Sequence, residues 1–212
     1  SVQSLAETPD GSIWAGTSMG VNRVRIPEFL PFDNPDLETS AQIDTFFWDD
    51  KRVHATPLPN QIVDLEGTKD GKLWVSSFLQ IGFFDTTTGV FQSVYKNPNV
   101  APHEYFSSLF QEGPDGSMWV GQPGQVLRIR GTSVEVFHLP ELSVFPLTDI
   151  AFDLAGNVFV STRKQIFKLS AAHAMAPEAA RFELFYRFPA EGIIGSTKLV
   201  MDRGGLLWIG TN

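Results

Sequence analysis

One short phrase recurs five times in this chain of 212 residues. A turn glycine is followed at the third position by an aromatic residue, with a small residue two places further on. It reads PDGSIWAGT from Pro9, KDGKLWVSS from Lys69, PDGSMWVGQ from Pro114, LAGNVFVST from Leu154 and RGGLLWIGT from Arg203. The turn glycines Gly11, Gly71, Gly116, Gly156 and Gly205 lie 60, 45, 40 and 49 residues apart. Recurrence at such intervals means one supersecondary unit used repeatedly, each copy burying its apolar face against the next.

The flanks say which unit. VQSLAET, IVDLEGT, FSSLFQE, LTDIAFD and TKLVMD precede the five copies, and GVNRVRI, IGFFDT, QVLRIR and QIFKL follow the first four. All have strand character. Asp10-Gly11, Asp70-Gly71 and Asp115-Gly116 are hairpin signals, because the turn needs a positive φ that glycine adopts without steric cost. A fourth strand is offered by VFQSVY (90–95), VEVFHL (134–139) and FELFYRF (182–188), where Phe182, Leu184, Tyr186 and Phe188 alternate with Glu183 and Arg187. The expected fold is all-β: a β-propeller of four-stranded antiparallel blades with about four and a half blades present. The blades fall at 1–60, 61–104, 105–145, 146–194 and, in part, 195–212. A two-stranded fifth blade leaves an open edge. The expectation is therefore a partial propeller completed by the remainder of a longer one, or by self-association.

The repeated phrase reads first as a packing device. On the second strand Trp14 and Gly16 point to one face, and Ile13, Ala15 and Thr17 to the other. A small residue at 16, 76, 121, 161 and 210 leaves room for a neighbouring blade, so the aromatics at 14, 74, 119, 159 and 208 are expected in the core. Burying one tryptophan, about 200 Å² of surface, contributes roughly 5 kcal/mol before entropy is subtracted. Two stretches fall outside the pattern. Residues 27–60 hold five prolines and one strand-like piece, QIDTFFW, suited to the outer strand of the first blade. Residues 170–181 suit a short helical turn capped by Ser170 and interrupted by Pro177.

Charge and composition exclude several classes. The net charge is −8 with scattered lysines and arginines, a poor match to nucleic acid or an anionic membrane. There is no cysteine, which removes thiol catalysis and disulfides. The longest apolar-leaning run, LWVSSFLQIGFF, is too short to span a bilayer.

No catalytic residue, metal site or cofactor emerges. GTSMG (16–20) matches a nucleophile elbow, but a strand precedes Ser18 and an alternating strand pattern follows it, so a hairpin turn is expected there. His54, His103, His138 and His173 sit on separate segments without ligand spacing, and no phosphate-cradling glycine loop is present. For a propeller lyase or glycoside hydrolase, two carboxylates from among Asp149, Asp153, Glu191 and Asp202 would converge near the axis, about 5–10 Å apart at the channel mouth with an arginine nearby. Binding is expected where second-to-third and fourth-to-first strand connections meet. There Phe78, His103, Tyr105, Gln122, Arg163 and Lys164 combine aromatic and polar groups suited to an oligosaccharide or peptide.

The residues DGSIWAGTSMGV (10–21) and GGLLWIGT (204–211) resemble the two-component regulator propeller repeat, Asp-Gly-Asn-apolar-Trp-apolar-Gly-Thr followed by Gly-apolar. DGKLWVSS and DGSMWVGQ depart from it at Gly-Thr, and AGNVFVST carries Phe159 for tryptophan. The resemblance implies the extracytoplasmic, periplasmic sensor region of a bacterial signal-transduction receptor, ahead of histidine kinase or diguanylate cyclase modules. It brings no catalytic residues with it. A non-catalytic ligand-sensing propeller is thus the leading expectation, beside the enzyme reading and a protein-interaction scaffold.

Overall fold

The computed structural model describes residues 1–25, 42–46, 61–77, 80–96, 109–139, 147–176, 180–189 and 197–211. They divide into two compact units, Ser1–Phe106 and Ser107–Asn212. In the first, β1 (Val2–Glu7), β2 (Ile13–Thr17), β3 (Gly20–Arg25) and β4 (Gln42–Phe46) form one sheet in chain order. A second contains β5 (Ile62–Gly67), β6 (Lys72–Ser77), β7 (Gln80–Asp85) and β8 (Phe91–Lys96). In the second unit β9 (Leu109–Glu112), β10 (Met118–Gln122), β11 (Gln125–Arg130) and β12 (Ser133–His138) form a third sheet. The fourth has β13 (Leu147–Phe152), β14 (Val158–Thr162), β15 (Gln165–Leu169) and β16 (Glu183–Arg187), and β17 (Thr197–Met201) and β18 (Leu207–Thr211) make a two-stranded fifth. All the pairings are antiparallel. The strands are blades of the expected kind, and β4 is the piece anticipated within residues 27–60. Ser18 lies in the β2–β3 hairpin turn, as its context required.

The first turn of every blade is the same object. Gly11 N–H donates to Thr8 O (2.8 Å), and the equivalents Gly71, Gly116, Gly156 and Gly205 donate to residues 68, 113, 153 and 202 at 3.0–3.1 Å. Each of these glycines has φ between +74° and +82°. The loop has three residues, with the glycine closing it as a bulge, one residue longer than an Asp-Gly pair alone would make it. That geometry is strained for a residue with a Cβ and costs glycine little, which is why the phrase keeps its glycine while its neighbours vary.

The small residue beside the aromatic does what the pattern implied. A Cβ on Gly16 would lie 2.5 Å from Ile62 Cγ2 and 3.2 Å from Leu65 Cγ, so the next blade's inner strand fills that space. At Gly121 the space is taken by Leu109 of its own blade, at 3.0 Å, and by Leu147 of the next blade's inner strand, at 3.1 Å. Trp14, Val21, Ile62, Leu65, Leu73, Val75 and Phe84 form one core. Trp119, Val126, Leu147, Ile150, Val160 and Phe167 belong to another. Strands β10 and β14 are buried at every residue, as sheets covered on both faces require.

Two expectations need correction. Trp14, Trp74, Trp119 and Phe159 are core residues, but Trp208 is 61% exposed. Among the described residues β18 has no third strand beside it and no sheet over this face, so the same phrase lacks the neighbour that buries it. The alternation expected for 182–188 also breaks. The pairing passes from Ile166↔Tyr186 to Phe167↔Leu184, which leaves Phe185 as an extra residue. Phe182 is buried, whereas Leu184, Phe185 and Tyr186 are exposed. Ser170 caps α1 (Ala171–Ala174) by accepting from His173 N–H at 3.2 Å. Pro177 lies outside the described residues.

Candidate functional site

The carboxylates considered for catalysis are placed by the turns and the inner strands. Asp202 stands where Thr8 stands in the first blade. Its Oδ1 accepts from Gly204 N–H (2.8 Å) and Leu206 N–H (2.9 Å), and its Oδ2 from Trp208 Nε1 (2.8 Å). The indole N–H, and after it the Leu206 amide, hold its pKa below the usual carboxylate range. Asp153, at the equivalent turn position, accepts from Ala155 N–H, Asn157 N–H and Asn157 Nδ2 at 3.0, 2.8 and 2.6 Å. Asp149 lies on β13. Its Oδ2 accepts from Leu199 N–H of the next blade (2.8 Å), and Lys198 Nζ stands 3.6 Å from its Oδ1. Asp153 and Asp202 occupy corresponding turns of successive blades, and Asp149 sits four residues ahead of its own turn. Glu191 lies outside the described residues.

That last hydrogen bond has a counterpart. Leu65 N–H donates to Ser4 Oγ of the preceding blade at 3.1 Å, and Ser4 Oγ donates to Asp64 Oδ1 at 2.8 Å. An inner strand exposes one edge of unpaired amides. A short polar side chain on the preceding inner strand supplies an acceptor for one of them.

The second-to-third strand turns carry the described binding candidates. Thr162 Oγ1 accepts from Lys164 N–H (3.2 Å) and Gln165 N–H (3.0 Å), and it donates to Gln165 O (3.2 Å). The threonine ending the phrase thus caps a two-residue turn, and Arg163 and Lys164 project from that turn exposed. Gln122 occupies the threonine position of its blade and is 1% exposed. Its Oε1 accepts from Gln125 Nε2 at 2.7 Å, and its Nε2 has no hydrogen-bond partner among the described residues. It is an interior side chain rather than the exposed loop group expected. Phe78, His103 and Tyr105 lie outside the described residues.

In the second unit the inner strands β9, β13 and β17 line a groove of about 260 Å³. Its walls are Gln111, Ile150, Ala151, Phe152, Leu199, Val200 and Met201. These side chains offer apolar contact and one amide, and none titrates near neutral pH. Among the described residues no group of three or more His, Asp or Glu could hold a metal ion, and no helix is long and apolar enough to cross a membrane.

A feature that the sequence reading missed crosses the blades. Opposite each aromatic of the phrase on the third strand stand Arg23, Phe83, Arg128 and Lys168. Arg23 lies 5.4 Å over Trp14, Arg128 5.3 Å over Trp119, and Lys168 5.5 Å over Phe159. On the fourth strand Asp44 pairs with Arg23 at 2.9 Å, and Glu135 pairs with Arg128. These aromatic, cation and carboxylate rows brace the first and third blades, and the fourth carries the aromatic and the cation of the row.

No family model and no curated protein matches the sequence. Solved structures do match in shape. The extracellular domain of BT4673 from B. thetaiotaomicron, assigned to a one-component system, superposes with a TM-score of 0.68 at 16% identity. That match covers 99% of this chain and 26% of that one. Virginiamycin B lyase from Staphylococcus aureus gives 0.66 at 15% identity, covering 98% of this chain and 62% of the lyase. PorZ, a surface component of the type-IX secretion system of Porphyromonas gingivalis, gives 0.64 at 16%, covering 98% and 31%. The fold is a β-propeller, present in part: the chain spans about a quarter of the BT4673 domain and less than two thirds of the lyase. At these identities the likeness concerns fold alone.

Proposed function

We propose that the chain is a non-catalytic, ligand-sensing segment of an extracytoplasmic propeller of the two-component regulator type. The observation that carries this reading is how the described carboxylates are used. Asp153 and Asp202 tie off blade turns, Asp149 receives a neighbouring strand's amide, and none lines the groove. A general acid needs a carboxyl that keeps its proton near working pH, whereas Asp202 is held ionised. The ligand class is an oligosaccharide or peptide, taken at the end where the second-to-third strand turns present Arg163 and Lys164. Thermal-shift measurements against oligosaccharide and peptide libraries test this. Stabilisation by a member, lost in Arg163→Ala/Lys164→Ala, is expected. A chain stabilised by no library member, yet retained by a protein partner, would replace sensing with a scaffold role.

The second reading is a propeller lyase, since a lyase uses this fold, at a TM-score of 0.66. Incubation with quinupristin, which a structure of that lyase contains, separates the two. Consumption of the compound on chromatography would establish catalysis, and its persistence is expected.

A further inference from the structure

The turn joining β14 to β15 and the end of β16 beside it carry Arg163, Lys164 and Arg187, all exposed. Packing does not call for charge there. The equivalent two-residue turns of the first and third blades are Ser18-Met19 and Pro123-Gly124. On the outer strand, the residue opposite the start of the third strand is Lys96, His138 and Arg187 in the second, third and fourth blades. Among the described residues only the fourth blade sets cations at both places, in a chain whose net charge is −8.

The backbone holds these cations together. Thr162 Oγ1 fixes the turn by accepting from Lys164 N–H and Gln165 N–H. Arg187 stands opposite Gln165, and Phe188 N–H donates to Lys164 O at 3.0 Å. Neighbouring strands lie about 4.8 Å apart, so the three positions fall within roughly two strand spacings, about 10 Å. Their charge is not cancelled locally. Arg23, Arg25, Arg128 and Arg130 each face an aspartate or glutamate of their own blade. Arg163 and Arg187 have no such ion pair among the described residues. Asp149, opposite Ser161 just below the turn, is engaged by Leu199 N–H and Lys198 Nζ. Glu183 lies at the other end of β16, opposite Lys168.

We propose that this end of the fourth blade binds an acidic oligosaccharide, its carboxylates seated on Arg163 and Arg187 with Lys164 adding a third charge. The proposal rests on the reading of the chain as a ligand-sensing propeller and adds to it the charge of the ligand and the role of Arg187. A guanidinium fork takes a carboxylate through two parallel hydrogen bonds. A peptide added to a sheet is held largely through its main chain, whereas the amides of this turn are already taken by Thr162. What the site offers is side-chain charge, and a run of uronates presents a carboxylate on every sugar.

Isothermal titration of the whole chain with tetragalacturonate, its methyl ester and tetraglutamate tests this. Tetragalacturonate should bind at low ionic strength, and the neutral ester, with the same sugar skeleton, about tenfold more weakly or worse. Raising the salt from about 0.01 M to 1 M shortens the Debye length from about 30 Å to 3 Å and should weaken binding by a similar factor. Arg163→Gln and Arg187→Gln should each weaken it about tenfold, with the unliganded melting temperature unchanged because both side chains are exposed. Arg181→Gln, before the other end of β16, should bind as the parent does. Ester bound as tightly as acid would overturn the acidic ligand and leave a sugar-sensing propeller standing. Tetraglutamate bound as tightly would reassign the site to peptides. Absence of tetragalacturonate binding at millimolar concentration, or unchanged binding in Arg187→Gln, would overturn the site itself. The sensing reading fails separately, when no library member stabilises the chain.

Discussion

Thr8 Oγ1 accepts a hydrogen bond from Trp14 Nε1 at 2.9 Å and donates one to Asp10 Oδ1 at 2.6 Å. One hydroxyl therefore joins the turn to the largest side chain in the first blade's core. Thr8 and Trp14 are 2% and 1% exposed, so water cannot replace the lost partner in a Thr8→Val variant. Leaving a buried indole N–H unsatisfied costs about 1–3 kcal/mol. Chemical denaturation of Thr8→Val should show a loss of that size with an unchanged slope. A Trp14→Phe/Thr8→Val double variant should lose less than the sum of the single changes, because the N–H that needed the hydroxyl is gone.

The turn carboxylates make the fold sensitive to acid. The Thr8 hydroxyl lowers the pKa of Asp10, burial opposes it, and the Ser12 amide and hydroxyl add to the lowering; for Asp202 the Trp208 indole leads. A carboxyl whose pKa is lower folded than unfolded binds fewer protons in the native state. Its stabilisation is complete above the unfolded value of about 3.9 and is lost as pH falls through the lower folded value. The melting temperature should stay level down to roughly pH 5 as far as these groups are concerned and fall below about pH 4. Asp10→Asn should start from a lower plateau and fall less steeply in that acid range, as read by calorimetry across pH.

Strand positions were legible in the sequence because the turn glycine cannot be exchanged cheaply, so it marks each hairpin even where Trp becomes Phe159. Gly16 was legible for the same reason: its missing Cβ is space that Ile62 and Leu65 occupy. The exposure of Trp208 was not, since burial belongs to the neighbour and not to the phrase. Asp153 and Asp202 looked like free acids because a residue's letter does not reveal that backbone amides of its own turn converge on it. Arg23 and Asp44 pair across 21 residues, most of them an insertion, so no fixed spacing signals the row they form. Gln122 stands where a capping threonine is usual, and its interior placement follows from strand register rather than from its polarity.

Gly16 and Gly210 occupy the same place in the phrase and should respond unequally to the same change. A Cβ at Gly16 would meet Ile62 Cγ2 at 2.5 Å, whereas at Gly210 the nearest atom is Lys198 Cβ at 3.8 Å. Gly16→Val should cost about 1–3 kcal/mol through overpacking. Gly210→Val should stay within about 0.5 kcal/mol of the parent, with the strand preference of valine in its favour. Parallel urea titrations decide the matter, and equal losses would mean that Gly16 acts through its backbone rather than its space.

Asp149 separates a structural acid from a catalytic one. Its Oδ2 holds Leu199 N–H at 2.8 Å, joining β13 to β17 where no strand-to-strand ladder exists. A hydrogen bond to a charged group is worth about 1.5–3 kcal/mol, so Asp149→Ala should lose that much stability and speed hydrogen exchange at the Leu199 amide. Asp149→Asn keeps an acceptor oxygen of the same reach and should recover most of the stability and the protection. Ligand-induced stabilisation, once a ligand is found, should survive in the asparagine variant, because the contact needs an acceptor and not a proton. A turnover activity that vanished in Asp149→Asn while Leu199 stayed protected would instead assign Asp149 to catalysis.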